Sequence, residues 1–387
     1  MKITDVKTRI VAIPHVDVHK QAWGEKRGYV AAIVELLTDE GITGIGESCI
    51  IFPSAEITRV MIESVKPALL DEDPFDVERI TRRVWWPNFP HTSNLNFCAI
   101  EMALWDIIGK ASNRPLYKML GGLVRKRVEF MMIAKRSKRL TDMVAEAVQF
   151  KEQGFTCFYV KVGMDPDEDL AAIKMMREAL GPTVKLIADA NQVWSVGRAV
   201  KYIKAMERYD LFYMEQPTPA HDLDGMATLR KRVDTPICAH ESARTLRDVS
   251  NVVRKEAADI IQVDPRTSEG ILGCKKAAAI AEGAGLPLVM HSASGELGPS
   301  QAAILHIAAS TPNFIYPNQS MYYYLAADII TGERLAYTEG CMDVPDKPGL
   351  GVALDEDKMN KYVEYYRNVG ADPFTRPDDT IPMTPRY

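Results

Sequence analysis

Eight short runs of β-type residues recur along the second two thirds of the chain, at 128–133, 157–162, 185–188, 211–214, 236–239, 259–263, 287–290 and 313–316. Their starts fall at intervals in the twenties, and the segments between them, such as 141–153 and 196–208, carry apolar residues at helical spacing. Strand and helix alternating at that period predict parallel βαβ units closing into a TIM-type α/β barrel. An open doubly wound sheet would show a phosphate-binding glycine fingerprint after its first strand, and none follows 128–133.

The chain has 387 residues, well beyond the roughly 250 of a bare barrel, so a second unit is expected. Residues 1–125 fit an α+β domain, with a hairpin turning at Asp39-Glu40-Gly41, helical patterns at 55–70 and 97–110, and Gly121-Gly122 closing the section. The barrel then occupies 126–325. The polar tail 326–387, with turn signals at Thr331-Gly332 and Asp346-Lys347-Pro348-Gly349, is too short for a domain and is expected to pack back on the first one.

A net charge of −5 offers no basic excess for nucleic acid or an anionic membrane. Six scattered cysteines suggest neither a zinc site nor a disulfide framework. The polar start has no apolar signal core, and no apolar run approaches the roughly 20 residues of a membrane span, so a cytoplasmic location is expected.

Asp189, Glu215 and Glu241 each end a successive predicted strand, 26 residues apart in both steps (215 − 189 and 241 − 215). Strand C-termini of a barrel converge on one rim, so the three carboxylates would form a cluster that requires a cation. Oxygen donors without a Cys or His triad favour Mg²⁺, with Mn²⁺ the other option. Taken singly, each acid could equally be a solvated cap of the next helix; one register on three strands is what argues for a site.

Lys161 ends the second barrel strand, from which its amine would reach the same pocket. Beside a divalent cation its ammonium form is disfavoured, leaving a neutral amine as a base. His291 ends the seventh strand and Asp264 the sixth. An Asp bound to one imidazole nitrogen fixes the tautomer of the other, which makes His291 a competent acid or base.

These residues resemble the mandelate racemase branch of the enolase superfamily. Ala99-Ile100-Glu101-Met102-Ala103-Leu104-Trp105-Asp106, with Gly109-Lys110, Pro115-Leu116-Tyr117 and Leu120-Gly121-Gly122, is similar to the signature joining the family's capping domain to its barrel. Asp189-Ala190-Asn191, Glu215-Gln216-Pro217 and Glu241-Ser242 resemble the three metal-ligand motifs, and Pro348-Gly349-Leu350-Gly351-Val352 the C-terminal return. The resemblance implies a modified (β/α)7β barrel with an α+β capping domain completed by the C-terminal segment. Two departures stand out, at Tyr159 and Asn318, while Asp264 and His291 match the branch's Asp and His on the sixth and seventh strands. Tyr159 replaces the first lysine of the branch's Lys-x-Lys, removing a like charge beside Lys161. Asp264 stands where the muconate-lactonizing branch has a lysine. Asn318 stands near the acidic position of mandelate racemase.

The resemblance further implies a small carboxylate substrate that chelates the metal, and a homo-oligomeric enzyme. Stretches such as His291-Ser292, Thr311-Pro312 and Pro345-Asp346-Lys347-Pro348-Gly349-Leu350-Gly351 look more like the sugar-acid dehydratases, which implies dehydration of a sugar acid to a 2-keto-3-deoxy acid, with racemisation or epimerisation of a 2-hydroxy acid using the same residues, and a non-catalytic carboxylate-binding barrel the alternative of another class. Tyr159, Asn191 and Glu296 are candidate substrate contacts. Lys135 and Arg136, after the first barrel strand, are candidates for a second carboxylate. The capping loops 14–29 and 85–96 contribute His19, Lys20, Trp23 and Trp86, a mixture of cations and aromatics suited to an anionic polyol.

Overall fold

The computed structural model describes residues 1–21, 24–49, 55–84, 90–136, 139–292, 295–369 and 375–376. It opens on a strand that the polar start of the sequence concealed. β1 (Ile3–Gln21) pairs antiparallel with β2 (Gly24–Thr38), Ile3 opposite Thr38 and Ile13 opposite Tyr29. After the turn at Gly41, whose φ of 76° suits glycine, β2 pairs with β3 (Thr43–Cys49). Both faces of this sheet are covered, which is why its middle reads as a continuous apolar run. Val6, Ile10, Ala12, Val30, Ala32 and Val34 pack on one side with α1 (Ala55–Leu69), α2 (Val77–Val84) and α3 (Pro90–Ala111). Val11, Ile13, Ala31 and Ile33 pack on the other with Leu297 and Leu325 from the barrel side and Met359 and Tyr362 from near the C-terminus. α3 lies hard against β3: a Cβ at Gly46 would stand 1.9 Å from the carbonyl oxygen of Ala99.

After the short α4 (Leu116–Met119) and β4 (Arg127–Glu129), seven parallel strands follow in strict chain order. They are β5 (Met132–Ala134), β6 (Cys157–Lys161), β7 (Lys185–Asp189), β8 (Leu211–Glu215), β9 (Ile237–Ala239), β10 (Ile260–Val263) and β11 (Leu288–Met290). The alternating helices are α5 (Leu140–Glu152), α6 (Pro166–Leu180), α7 (Val196–Glu207), α8 (Leu223–Arg230), α9 (Leu246–Arg254), α10 (Gly270–Gly283) and α11 (Gly298–Ala309). Period-two alternation divides the strands between two cores, with one slip in β8 between Leu211 and Tyr213. Met132, Phe158, Val160, Leu186, Ala188 and Met214 face the helices, while Ile133, Cys157, Tyr159, Ile187, Tyr213, Cys238, Ile260 and Val289 fill the barrel interior.

Two expectations are corrected. The run 128–133 is split: β4 leaves the barrel to pair antiparallel with β12 (Cys341–Asp343), and only Met132–Ala134 joins the parallel sheet. The run 313–316 is not a strand. The ring closes instead through single links: Leu288 N–H to Asn313 O at 2.8 Å, Gln319 N–H to Met290 O at 2.9 Å, and Met131 N–H to Asn318 O at 2.8 Å. Pro312 and Pro317 bracket this stretch and remove the N–H groups a continuous ladder needs. The Asn318 side chain completes the seam, its Oδ1 accepting from Met290 N at 2.8 Å. The tail runs back to the N-terminal sheet, where α12 (Glu356–Val369) places Glu356 2.7 Å from Arg9. The result is a modified TIM barrel under an α+β cap. No described helix is long and apolar enough to cross a membrane.

Candidate active site

The interior residues of the strands lead by alternation to the rim. Cys157-Tyr159 is followed on the inward register by Lys161, Ile187 by Asp189, Tyr213 by Glu215, Cys238 by His240, Ile260-Gln262 by Asp264, and Val289 by His291. Ladder pairing sets Lys161 beside Asp189 and Asp189 beside Glu215. Glu241 is one residue past the inward position of its strand and enters through the helical turn Glu241–Ala243.

Lys161 Nζ donates to Asp189 Oδ2 and lies 3.1 Å from the Tyr159 hydroxyl, which itself donates to the same carboxylate oxygen. Tyr159 therefore fills the place of the missing lysine as a buried hydrogen-bond donor to Asp189. Burial, reinforced by the Asp189 charge, holds its phenol well above the usual range, so it stays protonated. Glu215 accepts from Gln319 Nε2 at 2.8 Å, and the amide of Gln262, turned with its nitrogen inward, donates to it at 2.8 Å. Burial and then the neighbouring Asp189 raise the Glu215 carboxyl.

His240 Nδ1 stands 3.4 Å from Glu215 and 3.3 Å from Glu241, and its ring stacks on His291 with centroids 3.8 Å apart. Burial opposes charge on His240, but Glu241 and Glu215 outweigh it and push its pKa up to about 9. His291 Nδ1 lies 3.2 Å from Asp264 Oδ2. Burial and the His240 charge hold His291 well below its ordinary value, while Asp264, despite its burial, is held low by Arg266 and His291. An ionised Asp264 accepts from Nδ1–H, which leaves the Nε2 lone pair of a neutral His291 available.

The site fits a hard divalent cation in donor type and charge. Asp189, Glu215 and Glu241 offer only oxygens, and Glu241 Oε2 is buried without a well-formed hydrogen bond, His240 Nδ1 standing 3.3 Å away. Among the described residues no group of three or more His, Cys, Asp or Glu side chains is placed to hold a metal ion, and Asp189 is engaged by Lys161 and Tyr159.

Other expected contacts are placed differently. Glu296 is fully buried and spends both oxygens inside the protein, accepting from Ser292, Ser320, Met321 N at 2.9 Å and Tyr322 N at 3.1 Å; it organises the loops around the barrel seam and has no face for a substrate. Arg136 points outward to Asp169 of α6 at 3.0 Å, as strand alternation dictates for the residue two beyond Ala134. Lys135, on the inward register, is paired with Glu146 at 3.0 Å and lies 4.2 Å above the Tyr324 ring. Asn191 sits in the left-handed region with φ 46° beside Asp189, and its Oδ1 is buried without a partner. His19 and Lys20 fall near the outer end of β1, opposite Lys26 and Glu25. Trp23 and Trp86 lie outside the described residues.

His240, Arg266, Gln262 and Gln319 were missed in the sequence. The first two carried a legible signal: extending the period-two register of β9 by one step points His240, not Glu241, inward, and Arg266 follows Asp264 by two.

Comparison with known proteins agrees with this architecture. Residues 3–121 match the mandelate racemase / muconate lactonizing enzyme N-terminal domain, and residues 142–358 the enolase C-terminal domain-like family. The chain is 30% identical to an arabinonate dehydratase of Saccharolobus solfataricus, over 85% of this chain and 89% of that one. It is 32% identical to the L-Ala-D/L-Glu epimerase of Bacillus subtilis, over 91% and 97%. A Streptomyces coelicolor enolase described as a putative sugar isomerase superposes with a TM-score of 0.87 at 34% identity, over 96% of this chain and 99% of that one. The chain belongs to the mandelate racemase branch of the enolase superfamily, and it is an enzyme.

Proposed function

We propose that this enzyme removes the proton α to a carboxylate and dehydrates a sugar acid to a 2-keto-3-deoxy acid. The observation that carries the reading is the arrangement at the rim: two proton carriers, Lys161 on β6 and the His291–Asp264 pair after β11 and β10, share one inward register with the carboxylates of β7 and β8. Binding alone has no use for such poised groups.

Asp189, Glu215 and Glu241 would hold Mg²⁺, or Mn²⁺, which supplies positive charge against the negative charge that builds on the substrate carboxylate. Lys161, released from Asp189, or neutral His291 through Nε2, takes the Cα proton. His291 that has taken the Cα proton gives that same proton to the departing 3-hydroxyl, so that a C–H and a C–O bond break, water leaves, and the resulting enol tautomerises to the 2-keto acid; where Lys161 is the base, His291 has to enter the cycle already protonated for this step. Tyr159, held protonated against Asp189, supplies a hydrogen bond where a second ammonium would repel Lys161.

Lys161 and His291 on separate strands also support a second reading, proton return on the opposite face in an epimerase, the activity of the Bacillus subtilis relative. One experiment separates the two. Mono- and diacid sugars, arabinonate among them, are incubated with enzyme and Mg²⁺ in D₂O while 2-keto acid and α-deuterium are followed together. Keto acid that disappears in Lys161→Ala or His291→Asn supports dehydration. Deuterium uptake without keto acid replaces it with epimerisation, and neither signal across the panel sinks the sugar-acid assignment.

A further inference from the structure

Arg266 is fully buried and its guanidinium is shared among three parts of the molecule. Nε donates to Asp264 Oδ1 at 2.9 Å and Nη2 to Oδ2 at 2.7 Å, while the backbone N–H of Arg266 adds a 2.8 Å bond to Oδ1. Nη1 reaches the Tyr29 hydroxyl of β2 at 3.1 Å and the carbonyl of Gly295 in the loop before α11. It also lies 4.0 Å from Glu47 of β3. Tyr29 in turn donates to Glu47 at 2.7 Å, and Glu47 accepts from Leu297 N at 3.0 Å and Ser300 N at 3.0 Å at the start of α11.

Burying an arginine is costly unless its donors are met, and purely structural needs could be served by apolar residues. Here the fork fixes the plane of the Asp264 carboxylate, so that Oδ2 is presented to His291 and Oδ1 is occupied. We propose that Arg266 is a positioning residue that orients Asp264 toward His291 only while β2 and β3 of the cap are docked on the barrel through Tyr29 and Glu47. The domain that covers the substrate and the pair that handles its proton are thereby set by one side chain. The proposal rests on His291 being a proton carrier, but the geometry it invokes is measurable without turnover.

Among the described residues the charged groups facing His291 are Asp264 and Arg266 from the β10 end and His240 from the β9 end. Removing the guanidinium leaves the Asp264 charge uncompensated and its carboxylate freer to turn, and strengthens His291's hold on its proton. The test is a ¹⁵N imidazole titration of the full-length, Mg²⁺-loaded protein, with the His291 signal assigned from His291→Asn. In Arg266→Met the His291 midpoint is expected to rise by on the order of one pH unit, in Arg266→Lys by less, and in Tyr29→Phe in the same direction although that change lies in the cap. If Arg266→Met does not fold, the other two variants decide. An unchanged midpoint in folded Tyr29→Phe and Arg266→Lys overturns the proposal. Loss of α-proton exchange in His291→Asn is scored separately, so a failure of the functional reading is not mistaken for a failure of this one.

Discussion

At the scale of single residues, charge compensation decides the chemistry. Lys161 pairs with Asp189, and His291 is kept neutral by burial and by His240. Lys161→Ala and His291→Asn should each lower α-proton exchange by roughly 10²–10⁴-fold, the usual span for a positioned acid or base, measured as deuterium incorporation by NMR. Metal removal should abolish turnover. Adding Mg²⁺ to the stripped protein should raise its melting temperature, corresponding to about 2.7 kcal/mol at a hundredfold excess over Kd. Glu215→Gln should lose most of that rise in a thermal melt. Asp189 and Glu215 each close a strand on the inward register, as the spacing predicts, whereas Glu241 lies one residue past that register in the turn after β9. His240 was not visible in the sequence, because it precedes Glu241 and a motif reading stops at the acid, although strand alternation favours the histidine. Glu296 misled because a carboxylate near a rim looks the same in sequence whether it faces substrate or four donors of its own protein.

At the scale of elements, the strands with apolar runs were legible and those with polar ends were not. β1 begins with Asp5, Lys7 and Arg9 on alternate positions, and its partner strand rather than its own composition defines it. The run 313–316 had strand-like residues but a proline on each side, Pro312 and Pro317, and proline decided. α11 shows how an interior helix is tied down. Its His306 accepts from Tyr117 N at 3.2 Å through Nδ1 and donates through Nε2 to Leu350 O at 3.1 Å, which defines the neutral ring. Burial lowers its pKa from 6.5 to about 4. Between those values the unfolded chain binds more protons than the native one, so this contribution is complete above pH 6.5 and declines as pH falls toward 4. The full contribution is about 3 kcal/mol. Urea midpoints of the wild type should therefore climb from pH 4 to 6.5 more steeply than those of His306→Gln.

At the scale of the whole molecule, the signature in α3 is explained by what it joins. Glu101 accepts from Ile271 N at 2.7 Å and Leu272 N at 2.9 Å at the start of α10, and Asp106 accepts from Ile45 N at 3.0 Å and Leu350 N at 2.8 Å. Asp106→Ala strands those two amides and the Lys110 ammonium and should cost about 3–5 kcal/mol, read as a lowered urea midpoint. These bonds also bear on how the protein is made. Glu47 waits for Leu297, 250 residues later, and Asp106 for Leu350, 244 residues later. At a synthesis rate of roughly 5–20 residues per second, such gaps last on the order of 10 to 50 s. The part of the chain that leaves the ribosome first is thus among the last to be completed, and for that interval two carboxylates destined for the interior must remain in water, holding the nascent sheet open for its partners.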